Sequence, residues 1–546
     1  MSVLSDLEPK EVFGYFEEIA GIPHGSGNTK AISDYLAGFA VDRGLDHIQD
    51  DIGNVIIKKP ATKGYEDSPT VILQGHMDMV CEREADCDIN MEKEPIRLLC
   101  DGETVTADGT TLGGDDGIAV AYMLAILASD EIEHPALEAV FTVDEEIGML
   151  GAAALDMTLL KGRRLLNIDS EDEGILLCGC AGGATIEGCV PVDTDTFIGE
   201  INTSKAAAPD AASEKGSKSI YSLTVDGLTG GHSGIEIDKG RANAIMLLGR
   251  ILERLDSRLD IGLISVYGGG KDNVIPVFAE AFIVCDEDGL MPLVRELGSE
   301  LKAEYDITDP GLSVSADLMT DTDEIIKKIY DVTDIDSIRP DGLPVMDQAS
   351  KTRIIDMLRA LPNGVQRMNP AMPERVQTSL NIGVIKTIYT FDDTDETSDR
   401  EGEDEISDTP VNKLRCHVYI SSLVRSDISS EKRELVDRVR RIITMCGGDM
   451  SVAGDYPGWR FDGRSELIEI MSEAFKAQYG YEPKVETVHA GVECGYFADA
   501  LEGLDAVSFG PDLKGIHTPA ETMNIESVER TWRLIIDTLK AQGRTT

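Results

Sequence analysis

The sequence predicts an α/β protein whose β-sheet carries a polar site at the carboxyl ends of its strands. Three observations predict it. Short apolar runs, Pro69–Leu73, Ala139–Val143 and Leu165–Ile168, have the length and composition of buried strands. Each is followed within a few residues by acids or a histidine: His76 and Asp78, Asp144 to Glu146, and Asp169. An alanine-rich helical stretch after Asp116 separates the first run from the second. Strand, acid, helix, strand, acid is the order of an α/β sheet whose site lies outside the carboxyl ends of its strands.

Length and composition narrow the function classes. A chain of 546 residues exceeds what one core usually holds, so two domains are expected. A hydrophobic content of 42% supports real cores, and no apolar run is long enough to span a bilayer. The first residues lack the basic and apolar segments of a signal peptide, so a cytoplasmic protein is expected. The formal net charge of −50 argues against nucleic acid or an anionic membrane as a partner, because both would be repelled. The same charge reads as a solvated acidic surface, for which a salty cytoplasm is one cause. The 10 cysteines are dispersed, and Cys178 and Cys180 are too close for a usual zinc knuckle. Reduced thiols are expected.

The elements follow in order. Val12–Ile22 and Thr29–Ala40 carry apolar residues at helical spacing, with a break at Pro23-His-Gly-Ser-Gly-Asn. His24 in that break, like His47, His134 and His417, has no partner at ligand spacing and reads as structural. After the strand at Pro69–Leu73, His76 and Asp78 are two apart, so their side chains leave on the same side. They form either an ordinary hydrogen-bonded pair or a metal-binding imidazole oriented by a carboxylate. Gly113-Gly-Asp-Asp-Gly opens the long helix but lacks the ending of a P-loop and the spacing of a dinucleotide site. Asp115 and Asp116 would repel a phosphate. One of them caps the helix, or the glycines bring the backbone close to a cation that Asp115 binds. Asp144, Glu145 and Glu146 form an exposed loop, or else sit in a dry site where a cation must offset their repulsion.

Taken together, His76-Met-Asp78, Gly113-Gly-Asp115-Asp-Gly, Asp144-Glu145-Glu146-Ile-Gly-Met and Asn167-Ile-Asp169-Ser-Glu resemble the ordered motifs of the di-zinc exopeptidases that include carboxypeptidase G and peptidase T. Gly227-Leu-Thr-Gly-Gly-His232-Ser-Gly, Leu361-Pro-Asn-Gly-Val, Thr378-Ser-Leu-Asn-Ile-Gly-Val, His489-Ala-Gly-Val-Glu-Cys-Gly and Gly515-Ile-His517-Thr-Pro are similar to the aminoacyl-histidine dipeptidase branch. The likeness covers nearly the whole chain. It implies a phosphorylase/hydrolase-like catalytic domain, a central mixed sheet flanked by helices, over 1–187 and 458–546. It also implies an inserted α+β lid over 188–457.

The resemblance implies roles as well. His76 and Asp169 would hold one zinc, and Glu146 and His517 the other, with Asp115 bridging and manganese or cobalt as substitutes. Asp78 would orient His76, and Glu145 would be the general base. His232 would stabilise an oxyanion, while Asn273 and Arg425 would grip a substrate carboxylate. His489 and Glu493 are weaker candidates for the pocket lining. The implied reaction is hydrolysis of Xaa-His dipeptides. The alternatives are a broader aminopeptidase, tripeptidase or deacylase, or a non-catalytic metal-binding regulator. A small peptide is the expected partner, with a second copy of the chain as a candidate. The acidic stretch 391–408 and the segment 193–218 read as exposed loops without an assigned role.

Overall fold

The structure, a computed structural model, describes residues 3–197, 218–321, 326–329, 343–391 and 414–543. The chain forms two units, Met1–Gly182 with Tyr456–Thr546, and Gly183–Asp455. Among the described residues no helix is long and apolar enough to cross a membrane.

The first unit is built on an eight-stranded mixed sheet. Its strands run in the order Asp46–Gln49, Val55–Lys59, Leu137–Thr142, Val71–His76, Arg164–Asn167, Asp505–Ser508, Ile175–Cys180 and Lys484–Val488. Val71–His76 lies parallel to both of its neighbours, as does Asp505–Ser508 to Arg164–Asn167. Every residue of Val71–His76 and of Leu137–Thr142 is buried, as expected where a parallel region is covered on both faces. The helix Gly114–Ala128 is buried on almost all sides. This explains why its sequence shows no polar stripe. Because the central strands run parallel, their carboxyl ends emerge along one edge, and the acidic turns after them meet there.

The second unit contains an antiparallel sheet. Its order is Ser313–Leu318, Ser219–Asp226, Ala279–Cys285, Gly262–Gly269, Val376–Phe391, Leu414–Ser426, Gly182–Val192 and Asp449–Tyr456, with Gly364–Met368 paired to Val376–Phe391. The helix Ala244–Arg258 starts at Asn243, whose Oδ1 accepts from the amides of Ile245 and Met246 at 3.0 and 3.3 Å. Its apolar face, including Leu248, Ile251 and Leu255, joins Val225, Leu263 and Ile283 of the sheet in one core. Part of the segment expected as a loop over 193–218 is ordered differently. Thr194–Phe197 is a strand antiparallel to Leu343–Met346, with its alternation hidden by the polar residues Thr194, Asp195 and Thr196. Residues 198–217 lie outside the described residues, as do 392–413, which include nearly all of the acidic stretch.

Candidate active site

The polar edge of the first sheet gathers two imidazoles and a ring of carboxylates. His76 ends its strand fully buried. Its Nδ1 lies 3.0 Å from the main-chain oxygen of Asp78 and 3.4 Å from Oδ1 of the same residue. Its Nε2 faces Asp115 Oδ1 at 3.1 Å and Asp169 Oδ1 at 3.8 Å. The other oxygen of Asp115 is 3.2 Å from His517 Nε2, which is also 3.0 Å from Glu146 Oε1. Asp115 therefore stands between the two histidines with one oxygen toward each. Of the residues expected in the catalytic unit, the structure brings together His76, Asp115, Glu146, Asp169 and His517, with Asp78 and Glu145 beside them.

Three groups of donors lie within 4.8 Å of one another: His76 with Asp116 and Asp169, His76 with Glu145 and Glu146, and Asp115 with Glu146 and His517. Oxygen and nitrogen donors without thiolate suit zinc, manganese or cobalt. The electrostatics point the same way. Burial pushes the Glu145 carboxyl up to about 8, reinforced by Glu493 and Glu146. Burial also raises Asp169 well above the carboxylate range, with Asp115 adding to it. Hydrogen bonds to Asp115 and Glu146 lift His517 to about 10. Burial opposes a charged His76, but Asp115, Asp78 and Asp169 outweigh it and hold its pKa well above normal. Acids crowded together in a buried site repel one another, and a bound cation would offset that repulsion.

Asp78 does more than face His76. Its Oδ1 accepts the Glu145 amide at 2.9 Å and its Oδ2 the Glu146 amide at 3.3 Å and the Ser26 hydroxyl at 2.8 Å. One carboxylate thus seats the turn that carries the other two acids. The Pro23–Asn28 break, which sequence reasoning left without a role, supplies Ser26 and also the Gly27 amide, 2.7 Å from Asp144 Oδ1. His24 in that break is buried, with Nδ1 2.5 Å from the Ile22 carbonyl.

Three further acids support the cluster, of which only Glu521 has no sequence signal. Asp116 is buried and accepts the His76 amide at 3.1 Å. Glu493 is fully buried, accepting from Gln74 Nε2 at 2.5 Å and Thr142 Oγ1 at 2.7 Å. It braces the central strands through these two side chains, and its charge acts on Glu145 and Asp169. Glu521 accepts four backbone amides at the start of the helix Gly114–Ala128. His489 follows the strand Lys484–Val488 and is half-buried.

The other expected residues belong to the second unit. His232 lies on the short strand Gly231–His232, paired with Val274–Ile275. Its Nδ1 accepts the amides of Gly234 and Ile235 at 3.1 and 3.2 Å. That leaves the ring proton on Nε2, so the neutral imidazole is a donor there. Burial, then the charge of Arg425, lowers its pKa and keeps it neutral. The Asn273 carbonyl accepts the Ser233 amide at 2.9 Å. Asn381 Nδ2 holds the carbonyls on either side of Asn273, those of Asp272 and Val274, each at 2.8 Å. Arg425 is buried on the strand Leu414–Ser426, opposite Ser379.

Comparison with known proteins places the chain in a family. The chain is 34% identical over 543 residues to the cytosol non-specific dipeptidase of Escherichia coli (strain K12), covering 99% of each chain. The crystal structure of aminoacylhistidine dipeptidase from Vibrio alginolyticus matches with a TM-score of 0.81 and 35% identity over 98% of each chain. An aminopeptidase from Bacillus cereus shares the fold at 17% identity and a TM-score of 0.54, over 98% of this chain and 100% of the other. Residues 72–541 match the model of peptidase family M20/M25/M40. On these grounds the chain belongs to peptidase family M20/M25/M40 and is a peptidase.

Proposed function

We propose that this protein is a two-metal dipeptidase that hydrolyses Xaa-His dipeptides of the carnosine type. The observation that carries the reading is Asp115, with Oδ1 3.1 Å from His76 Nε2 and Oδ2 3.2 Å from His517 Nε2. In this reading His76 and Asp169 would hold one ion and Glu146 and His517 the other, with Asp115 between them. Such ions, when bound, would lower the pKa of water and polarise the scissile carbonyl. Glu145 takes the proton of the attacking water on its carboxylate and passes it to the leaving amine. Asp78 keeps Glu145 and Glu146 in place through their amides. His232 donates from Nε2 to the developing oxyanion. Arg425 and Asn273 take the terminal carboxylate of the dipeptide, a task suited to the planar fork of a guanidinium.

The names of the two relatives support a dipeptide substrate: one is called a non-specific dipeptidase and the other an aminoacylhistidine dipeptidase. The first name favours a second reading, a dipeptidase of broad specificity. A panel of dipeptides, tripeptides and acyl amino acids, assayed with and without chelator, separates the two. The expected result is cleavage of Ala-His and carnosine above other dipeptides, abolished by chelator and restored by zinc, manganese or cobalt. Equal rates across dipeptides favour the broad reading, and full activity in chelator removes the metal centre.

A further inference from the structure

The helix Gly114–Ala128 begins with four amides that have no partner inside the helix, as every helix does. Aspartate is a preferred residue for satisfying such amides, and Asp115 and Asp116 sit in this first turn. Neither carboxylate does so. Three of these amides, and that of Leu112 just before them, are taken by Glu521, a residue more than 400 positions away. Its Oε2 accepts from Leu112 at 2.8 Å and Gly113 at 3.1 Å, and its Oε1 from Gly114 at 2.8 Å and Asp115 at 3.3 Å. Glu521 is 2% exposed. Gly113 has φ 70°, the left-handed conformation that turns these amides toward one point.

Glu521 lies four residues after His517 and closes the loop that carries it. The Thr518 hydroxyl donates to the Gly515 carbonyl at 2.6 Å, and the amides of Ala520 and Glu521 reach Thr518 Oγ1 and its carbonyl at 3.2 and 3.1 Å. The loop is therefore short and braced, with His517 within it and Glu521 at its foot. One carboxylate thus fixes two things. It joins the His517 loop to the turn carrying Asp115. By binding the backbone on the N-terminal side of Asp115, and its own amide, it fixes where the Asp115 side chain starts, and that side chain places one oxygen toward His76 and the other toward His517.

We infer that Glu521 is a positioning residue for the candidate two-metal centre, acting by tying the Leu112–Asp115 turn to the loop of His517 and so holding Asp115 and His517 in register. The inference rests on the metal reading given above. It is tested on the full chain with wild type, Glu521→Gln and Glu521→Ala, each stripped of metal and titrated with cobalt(II). Visible absorption and bound cobalt per chain are followed, together with far-UV circular dichroism and kcat and KM for Ala-His. The expected result is two cobalt ions in wild type. In both variants at least one ion should bind roughly 10–100-fold more weakly, the range usual when a group orienting a ligand is removed. The cobalt spectrum should change, and kcat should fall while KM moves little. Acetate should partly restore Glu521→Ala, whose emptied pocket admits a small carboxylate, but not Glu521→Gln, whose amide still fills it. Wild-type titration and spectrum in both variants overturn the inference. So does loss of folded signal in both variants with and without cobalt, which would make Glu521 a holder of the fold alone. A wild type that takes up no cobalt refutes the metal centre itself and the assignment with it.

Discussion

Glu145 has the environment a general base in a closed site requires. It is positioned through its own amide by Asp78 at 2.9 Å, beside Glu146 and the other acids of the site. Glu145→Gln keeps nearly the same shape but cannot accept a proton. It should retain the fold and the bound metal and lose activity by roughly 10²–10⁴-fold. A near wild-type kcat would remove Glu145 from that role. Asp115→Ala should behave differently: the carboxylate that faces both histidines is gone, so metal content should fall before kinetics are considered. In the second unit, His232→Ala should lower kcat more than it raises KM, because an oxyanion contact strengthens in the transition state. Arg425→Ala should do the reverse. Losing a buried charged hydrogen bond typically costs at least about 2 kcal/mol, or roughly thirty-fold in KM. It should also narrow the gap between dipeptides and longer or blocked peptides. An intact dipeptide preference in Arg425→Ala would put the carboxylate grip on another residue.

The strand Val71–His76 and the helix Gly114–Ala128 meet at Gly75, and the contact sets where His76 points. A Cβ at Gly75 would lie 2.5 Å from Asp116 Oδ2 and 2.6 Å from Ala119 Cβ. Asp116 is also the acceptor of the His76 amide. Gly75→Ala should therefore cost about 1–3 kcal/mol through overpacking and loosen His76 as well. The expected outcome is a lower Tm together with weaker metal binding, and an unchanged Tm would mean the helix can shift to admit the methyl group. These two elements also show which features were legible beforehand. The buried strands, the acids at their ends and the helix after Asp116 stand out because apolar runs and strand-end acids are local patterns. Asp78 as the seat of the Glu145 turn, Gln74 and Thr142 as partners of Glu493, and Glu521 as partner of the helix amides are not local. Each joins residues 67 to 419 positions apart, and no periodicity records such a pairing. The strand Thr194–Phe197 was missed because three of its four residues are polar and its partner Leu343–Met346 is distant.

Across the whole molecule the dominant quantity is charge: 100 acidic against 50 basic residues, for a net −50. Part of this is spent in the candidate site, where acids crowd around His76 and His517. Many exposed acids have cationic partners, such as Asp34 with Lys30 and Glu304 with Arg250, but acids outnumber bases two to one, so many must face other acids. Their mutual repulsion favours expanded states, and salt weakens it by shortening the screening length from about 10 Å at 0.1 M to about 3 Å at 1 M. Exposed ion pairs weaken over the same range, but each contributes only about 0–1 kcal/mol. Relief of the net repulsion should therefore win. Tm is expected to rise by ~5 °C or more between 0.1 and 1 M potassium chloride, since a kcal/mol recovered is worth roughly 2–4 °C in units of this size. Tetramethylammonium chloride at equal ionic strength should produce a similar rise, because screening does not depend on the identity of the cation. A Tm that stays flat or falls with both salts would show that the acidic surface is already compensated by its local partners. A rise with potassium alone would point to specific cation binding in place of screening.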